Sequence, residues 1–139
     1  MSVIVVQELI QYLNDIFPNI HYNFTKPYSY YRDACSYYLF GHCASFARIL
    51  NAIFPNNSEL YVSSSHVLVK IDNYFYDVCG LVVDVKLSDY RYSEIDDYYM
   101  RSVLNKEDLL ERKLEDILIQ LGKTKLYDLM ELHTESLNY

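Results

Sequence analysis

The sequence has no Trp, only 3 Gly, 3 Pro and 3 Cys in 139 residues, and 12 basic side chains against 19 acidic ones. Each shortage excludes something. With so little Gly and Pro, and with 51% hydrophobic and 22% charged residues, the chain is not a disordered tail and reads as one domain over residues 1–139. No stretch approaches the roughly 18 apolar residues of a membrane helix, and the N-terminus lacks the basic, apolar, small-residue succession of a secretory signal. A cytoplasmic protein with no membrane partner is expected. The formal charge is −7 and the basic residues are scattered, so phosphate is repelled and no nucleic-acid partner is expected. Three Cys without a CxxC pair suit a reducing compartment, and the odd number argues against a disulfide framework. No internal repeat or low-complexity tract breaks the chain.

What the chain has in excess is Tyr, 16 copies in all. Tyr supplies large amphipathic contact area and is enriched where proteins meet partners. One cluster spans 28–38, and a second spans 90–99 among Asp89, Glu94, Asp96 and Asp97. Two readings stand: Tyr replaces Trp and Phe in a small core, or it forms an acidic, aromatic face for a protein partner, a second copy of the chain included.

Periodicity places the elements. Val6, Leu9, Ile10, Leu13, Ile16 and Phe17 recur at steps of three and four, which predicts a helix over 3–17 that Pro18 stops. Residues 18–42 lose periodicity and read as a long loop of functional type. Phe46, Ile49, Leu50, Ile53 and Phe54 then define a helix that starts after Gly41 and ends at Pro55. Strand patterns follow at 60–64, 66–71, 74–79 and 82–87, with an Asp72-Asn73 turn. In the last third, Leu110, Leu114, Ile117, Leu118 and Leu121 share a helix face, with Asn105 as expected N-cap and Gly122 as expected C-cap. This order predicts an α+β fold with a three- or four-stranded antiparallel sheet on the Cys43 helix, flanked by N- and C-terminal helices.

The chemistry concentrates in three residues. Cys43 stands at the start of its helix, where the dipole and the free N–H groups favour a thiolate and can also hold an oxyanion. If the hairpin closes at Asp72-Asn73, Ile71 pairs with Tyr74, Lys70 with Phe75, Val69 with Tyr76, Leu68 with Asp77 and His66 with Cys79. His66, Leu68, Phe75, Asp77 and Cys79 then share a face, and Asp77 is the diagonal neighbour of His66. A thiol, an imidazole and a carboxylate in these positions are the parts of nucleophilic thiol catalysis. Against this stands the ordinary fate of a lone Cys, which is burial. A zinc site from Cys43, His66 and Cys79, with His42, is disfavoured because the spacing follows no zinc pattern; neither a metal nor another cofactor is expected. Cys35 reads as structural.

The segments Gly41-His42-Cys43-Ala44-Ser45-Phe46-Ala47-Arg48-Ile49-Leu50, Ser65-His66-Val67-Leu68-Val69-Lys70 and Tyr76-Asp77-Val78-Cys79-Gly80 carry a resemblance. Together they are similar to the Cys, His, Asp core of the transglutaminase-like branch of the papain-like cysteine hydrolases, over about 40 residues. The last two also look like the corresponding strands of arylamine N-acetyltransferases, although this chain has no room for a large acyl-coenzyme site. The resemblance implies a papain-like core, with Cys43 as nucleophile, His66 as general base and Asp77 as the group that orients it. Papain-like proteases carry Gln or Asn a few residues before the Cys as oxyanion donor. Here Ser36, Tyr37 and Tyr38 occupy that stretch, so the hydroxyls of Tyr37 and Tyr38 are the substitutes to consider. His42 and Cys79 are candidates for the pocket wall.

The expected function is a cysteine hydrolase or acyl-transfer enzyme of peptidase, amidase, deamidase or transglutaminase type, acting on a protein or peptide through a Cys43 thioester. The alternative is a non-catalytic binding or inhibitor module on the same fold, of phage or bacterial-conflict origin, that uses the acidic Tyr-rich segment.

Overall fold

Ser2 supplies the N-cap of the first helix, its Oγ accepting the Val5 N–H at 3.2 Å. From there α1 runs over Val3–Thr25. The computed structural model describes residues 1–25, 43–63, 66–93 and 109–137. Val6, Leu9, Ile10, Leu13 and Phe17 form the buried stripe of α1, as their spacing requires.

Pro18 does not end this helix but lies inside it. A proline removes one N–H and crowds the carbonyl four residues earlier, at a cost of roughly 3 kcal/mol in a helix interior. Phe17 is fully buried and Ile20 packs against the core beyond the proline. Burying two such side chains contributes stabilisation on the same order as that cost, so packing overrides the local signal. Of the expected loop over 18–42, the first part is therefore helix; residues 26–42 lie outside the described residues.

The second helix, α2, spans Cys43–Ile53. Phe46, Ala47, Ile49, Leu50 and Ile53 are its buried residues. After it, Asn51 Nδ2 donates to Ser58 Oγ at 2.9 Å and Ser58 Oγ donates to the Phe54 carbonyl at 2.6 Å. These bonds tie the end of the helix to the start of the sheet.

Five antiparallel strands follow: β1 (Ser58–Val62), β2 (Val67–Ile71), β3 (Tyr74–Asp77), β4 (Gly80–Val82) and β5 (Arg91–Ser93), in the order β4-β3-β2-β1-β5. The expected hairpin register holds, with Ile71 opposite Tyr74, Lys70 opposite Phe75 and Val69 opposite Tyr76. Asp72 accepts the left-handed turn conformation at φ 55°, which Asp tolerates better than most residues. Leu60, Val62, Val67, Val69, Ile71 and Tyr76 bury one sheet face against the helices.

The sheet departs from expectation at its margins. Strand β1 begins at Ser58 rather than residue 60 because Ser58 pairs with Ile71. The strand expected over 82–87 is instead β4, which ends at Val82; Asp84 at φ 60° breaks the extended path, and Leu87–Asp89 form a 3-10 turn. The fifth strand was unforeseen. Arg91–Ser93 lies in the acidic Tyr-rich segment and pairs with β1, Tyr92 opposite Tyr61.

The last helix, α3, spans Leu109–Leu137 and continues through Gly122. Gly122 is no C-cap. Its missing side chain lets α3 approach α2, because a Cβ there would run into Ile53 Cδ1. Leu114, Leu118 and Leu129 are buried, while Ile117 and Leu121 are only half-buried. Asn105 lies outside the described residues. No helix among the described residues is long and apolar enough to cross a membrane.

Candidate active site

The β2–β3 hairpin brings His66 and Asp77 together. One step past the Val69–Tyr76 pair, the ladder puts Asp77 across from Leu68 and diagonal to His66, the last residue before β2. His66 Nε2 lies 3.2 Å from Asp77 Oδ2, and the two side chains are 22% and 16% exposed. The pair is thus open to solvent at one edge, yet most of it is withdrawn from water, where a hydrogen bond between such groups is strengthened.

Both partners are held from behind. Ser63 fixes His66: the Ser63 N–H donates to the His66 carbonyl at 2.9 Å, and the His66 N–H donates to Ser63 Oγ at 3.1 Å. Asp77 accepts the Cys79 N–H on its other oxygen, Oδ1, at 2.8 Å. With one oxygen anchored to the backbone, the second is aimed at the imidazole. An imidazole that donates its Nε2–H to this carboxylate carries its lone pair on Nδ1, the tautomer a general base needs.

The expected pairing of His66 with Cys79 does not form. Strand β3 stops at Asp77, whose partner is Gly80, and Val78-Cys79 form the turn between them. The physical reason is the same Asp77 carboxylate: by capturing the Cys79 N–H it closes a tight turn, which Gly80 leaves at φ 108°. Cys79 is exposed. It sits at the turn and supplies its amide, not its thiol, to the pair.

Cys43 opens α2, as the sequence predicts, and topology sets where that helix begins. Eleven residues of helix rise about 16 Å and the five residues of β1 rise about the same, joined by the short connection 54–57. The chain therefore returns along the sheet, and α2 starts at the end where β1 finishes, which is the end that carries Ser63, His66 and Asp77. Strand parity gives Asp77 the face of Leu68 and Phe75, whereas α2 packs on the face of Val67, Val69 and Tyr76. The side chain of Cys43 lies outside the described residues, as do His42, Tyr37 and Tyr38.

Two groups of polar residues went unread in the sequence. Ser63 is one. The other joins α2 to α3: Ser45 Oγ donates to Glu115 Oε1 at 2.6 Å, and Arg48 Nη2 contacts both oxygens of the same carboxylate. Ser45 and Glu115 are buried. The signal was present, since Ser45 and Arg48 interrupt an apolar helix three residues apart and Glu115 stands directly after Leu114 on the buried face. The network anchors the first turn of the helix that Cys43 opens.

On the sheet face turned away from the helices, the face of Asp77, Tyr61 stacks edge-on against Phe75 at 5.2 Å and against Tyr92 at 6.1 Å. Burial pushes the Tyr61 hydroxyl up, and its hydrogen bond to Glu59 and that carboxylate's charge add to the rise. The Tyr residues divide between the two readings, with Tyr76 buried in the core and Tyr92 54% exposed on β5. Among the described residues, no three of His, Cys, Asp and Glu come together as a metal-binding set.

The family model described as Phage YunG-like protein matches residues 9–119, a span that holds α2, the whole sheet and the first part of α3. Searches of curated proteins and of solved structures found no match.

Proposed function

Since the chain belongs to the phage YunG-like family, a description that states no activity, we propose its function from its own residues: a cysteine-dependent hydrolase or acyl-transfer enzyme on a papain-like, transglutaminase-like core. The observation that carries this reading is the His66–Asp77 contact at 3.2 Å, with Asp77 locked by the Cys79 amide.

In this mechanism His66 Nδ1 takes the proton of the Cys43 thiol, and the thiolate attacks the carbonyl carbon of an amide or ester. As the C–S bond forms, the carbonyl electrons move to oxygen, which the N–H groups of the first turn of α2 stabilise. Collapse of the intermediate expels the amine or alcohol, which leaves with the proton from His66, and a thioester remains on Cys43. His66 then deprotonates water or an acceptor amine, whose attack releases the acid or the transferred acyl product and restores the thiol. Asp77 keeps the imidazole in register and stabilises its charged form throughout.

The test is alkylation of Cys43 by iodoacetamide from pH 4 to 10, with mass spectrometry to separate the adduct from that on exposed Cys79. In the wild type Cys43 reacts with a midpoint well below the free-thiol value of about 8.5. His66→Ala abolishes this early reactivity. Asp77→Asn presents an N–H to Nε2, reverses the tautomer and moves the profile towards that of a free thiol. An inert Cys43, or one indifferent to His66, refutes the enzyme reading. The exposed Tyr92, edge-on to Tyr61, favours a second reading, a protein-binding module, in which Tyr92→Ala removes biological activity and Cys43→Ala leaves it intact.

A further inference from the structure

We infer that Asn14, far from His66 in sequence and on a different element, is a positioning residue for the His66–Asp77 pair, an assignment that rests on the proposed catalytic role of that pair. Asn14 stands four residues after Ile10 and three before Phe17, on the apolar stripe of α1, where a polar side chain needs a specific partner. Its Nδ2 has two: the Ile10 carbonyl and the Val78 carbonyl, each at 2.9 Å. Only the amide nitrogen can donate to both, so the orientation of the side chain is determined.

The Val78 carbonyl and the Cys79 N–H belong to one peptide group. That group is planar, and its C=O and N–H point in opposite directions. Asn14 grips the oxygen end, and the nitrogen end donates to Asp77 Oδ1 at 2.8 Å. Asp77 Oδ2 in turn faces His66 Nε2 at 3.2 Å. A continuous chain of hydrogen bonds thus runs from the Asn14 amide through one peptide to the carboxylate and the imidazole, and each bond polarises the next. Loss of Asn14 removes its hold on the oxygen end of this peptide, and a rotated peptide turns its oxygen, not its N–H, towards the carboxylate.

A neighbouring contact supplies the control. Gln7 Oε1, about two turns earlier on α1, accepts the Leu81 N–H at 3.3 Å. It also fills the space beside Gly80, where a Cβ would approach it to 2.5 Å. Gln7 secures the same turn to α1 but does not touch the peptide that faces Asp77.

The experiment compares wild type, Asn14→Asp, Asn14→Ser and Gln7→Ala in the full chain, with melting curves to establish folding. The readout is the His66 tautomer, taken from imidazole 15N shifts in buffer alkaline enough to keep the ring neutral, alongside the Cys43 alkylation profile. Asn14→Asp keeps the shape and removes the donor, and Asn14→Ser is too short to reach Val78. Both are expected to lose the Nε2–H tautomer and to slow Cys43 alkylation at neutral pH about 5- to 10-fold, the effect of one net hydrogen bond. Gln7→Ala is expected to keep the tautomer at whatever cost in melting temperature. An unchanged tautomer in both Asn14 variants overturns the assignment, and so does an equal loss in Gln7→Ala, which would mean that any loosening of the turn suffices. A Cys43 inert in the wild type refutes the hydrolase, while the tautomer comparison still decides the role of Asn14.

Discussion

Glu115→Ala offers the sharpest test of what holds the Cys43 helix in place. The carboxylate accepts from Ser45 Oγ at 2.6 Å and from Arg48 Nη2 through both oxygens. The Arg48 and Glu115 side chains are only 16% and 7% exposed, so solvent does not take over their role when one is deleted. Removing one member of such a buried pair costs about 3–5 kcal/mol, chiefly because the remaining charge has been desolvated without its partner. A domain is stable by only about 5–15 kcal/mol, so the loss is a large fraction of the total. At this chain length it lowers the melting temperature by about 10–20 °C. Urea denaturation followed by circular dichroism measures it directly. The triple variant Ser45→Ala, Arg48→Met, Glu115→Leu replaces the polar network with apolar packing and is expected to lie within about 1 kcal/mol of wild type. A Glu115→Ala protein less than about 1 kcal/mol below wild type would refute the reasoning, as would a triple variant no better than the single one.

Two further outcomes follow from packing and burial. Gly122→Ala gains about 1 kcal/mol of helix propensity, but its Cβ meets Ile53 Cδ1 and, at 3.6 Å, Leu13 Cδ2; overpacking of this kind costs about 1–3 kcal/mol, so urea denaturation should show a net loss that Ile53→Val in the same chain relieves, and a gain in stability would contradict the close approach of α3 to α2. Burial, followed by the nearby charges of Tyr74 and Asp72, raises the Tyr76 hydroxyl above its ordinary value of 10.0. The unfolded chain therefore loses this proton first, and the contribution is complete below pH ~10 and declines as the pH rises through the raised value. The stability difference between wild type and Tyr76→Phe should shift in favour of the variant above pH ~10, and a difference independent of pH would exclude the effect.

Local patterns made most of the fold legible. The stripe of α1, the helix that begins at Cys43 and the register set by Asp72-Asn73 all depend on residues a few positions apart, and each is as the spacing implies. The His66–Asp77 neighbourhood followed from that register alone. The failures occur where distant residues decide. Pro18 and Gly122 are local stop signals overridden by what packs beside them, Phe17 and Ile20 in one case and Ile53 in the other. Strand β5 exists because β1 offers it an edge, which three residues such as Arg91, Tyr92 and Ser93 do not announce. Cys79 was misplaced because a side chain, Asp77, bent the backbone that pairing rules would have kept straight.

The hydrogen-bond chain behind His66 also has a history within each folding event. His66 and Asp77 are 11 residues apart, whereas Asn14 and Val78 are separated by 64. Closing the larger loop costs more entropy, and hairpins form within about 1–10 μs, so the imidazole and carboxylate meet as soon as the β2–β3 hairpin exists. The peptide between Val78 and Cys79 acquires its fixed orientation only when α1 docks. A nascent or partly unfolded chain therefore carries the pair without its brace, and a fully ordered pair marks a molecule whose first helix has come home.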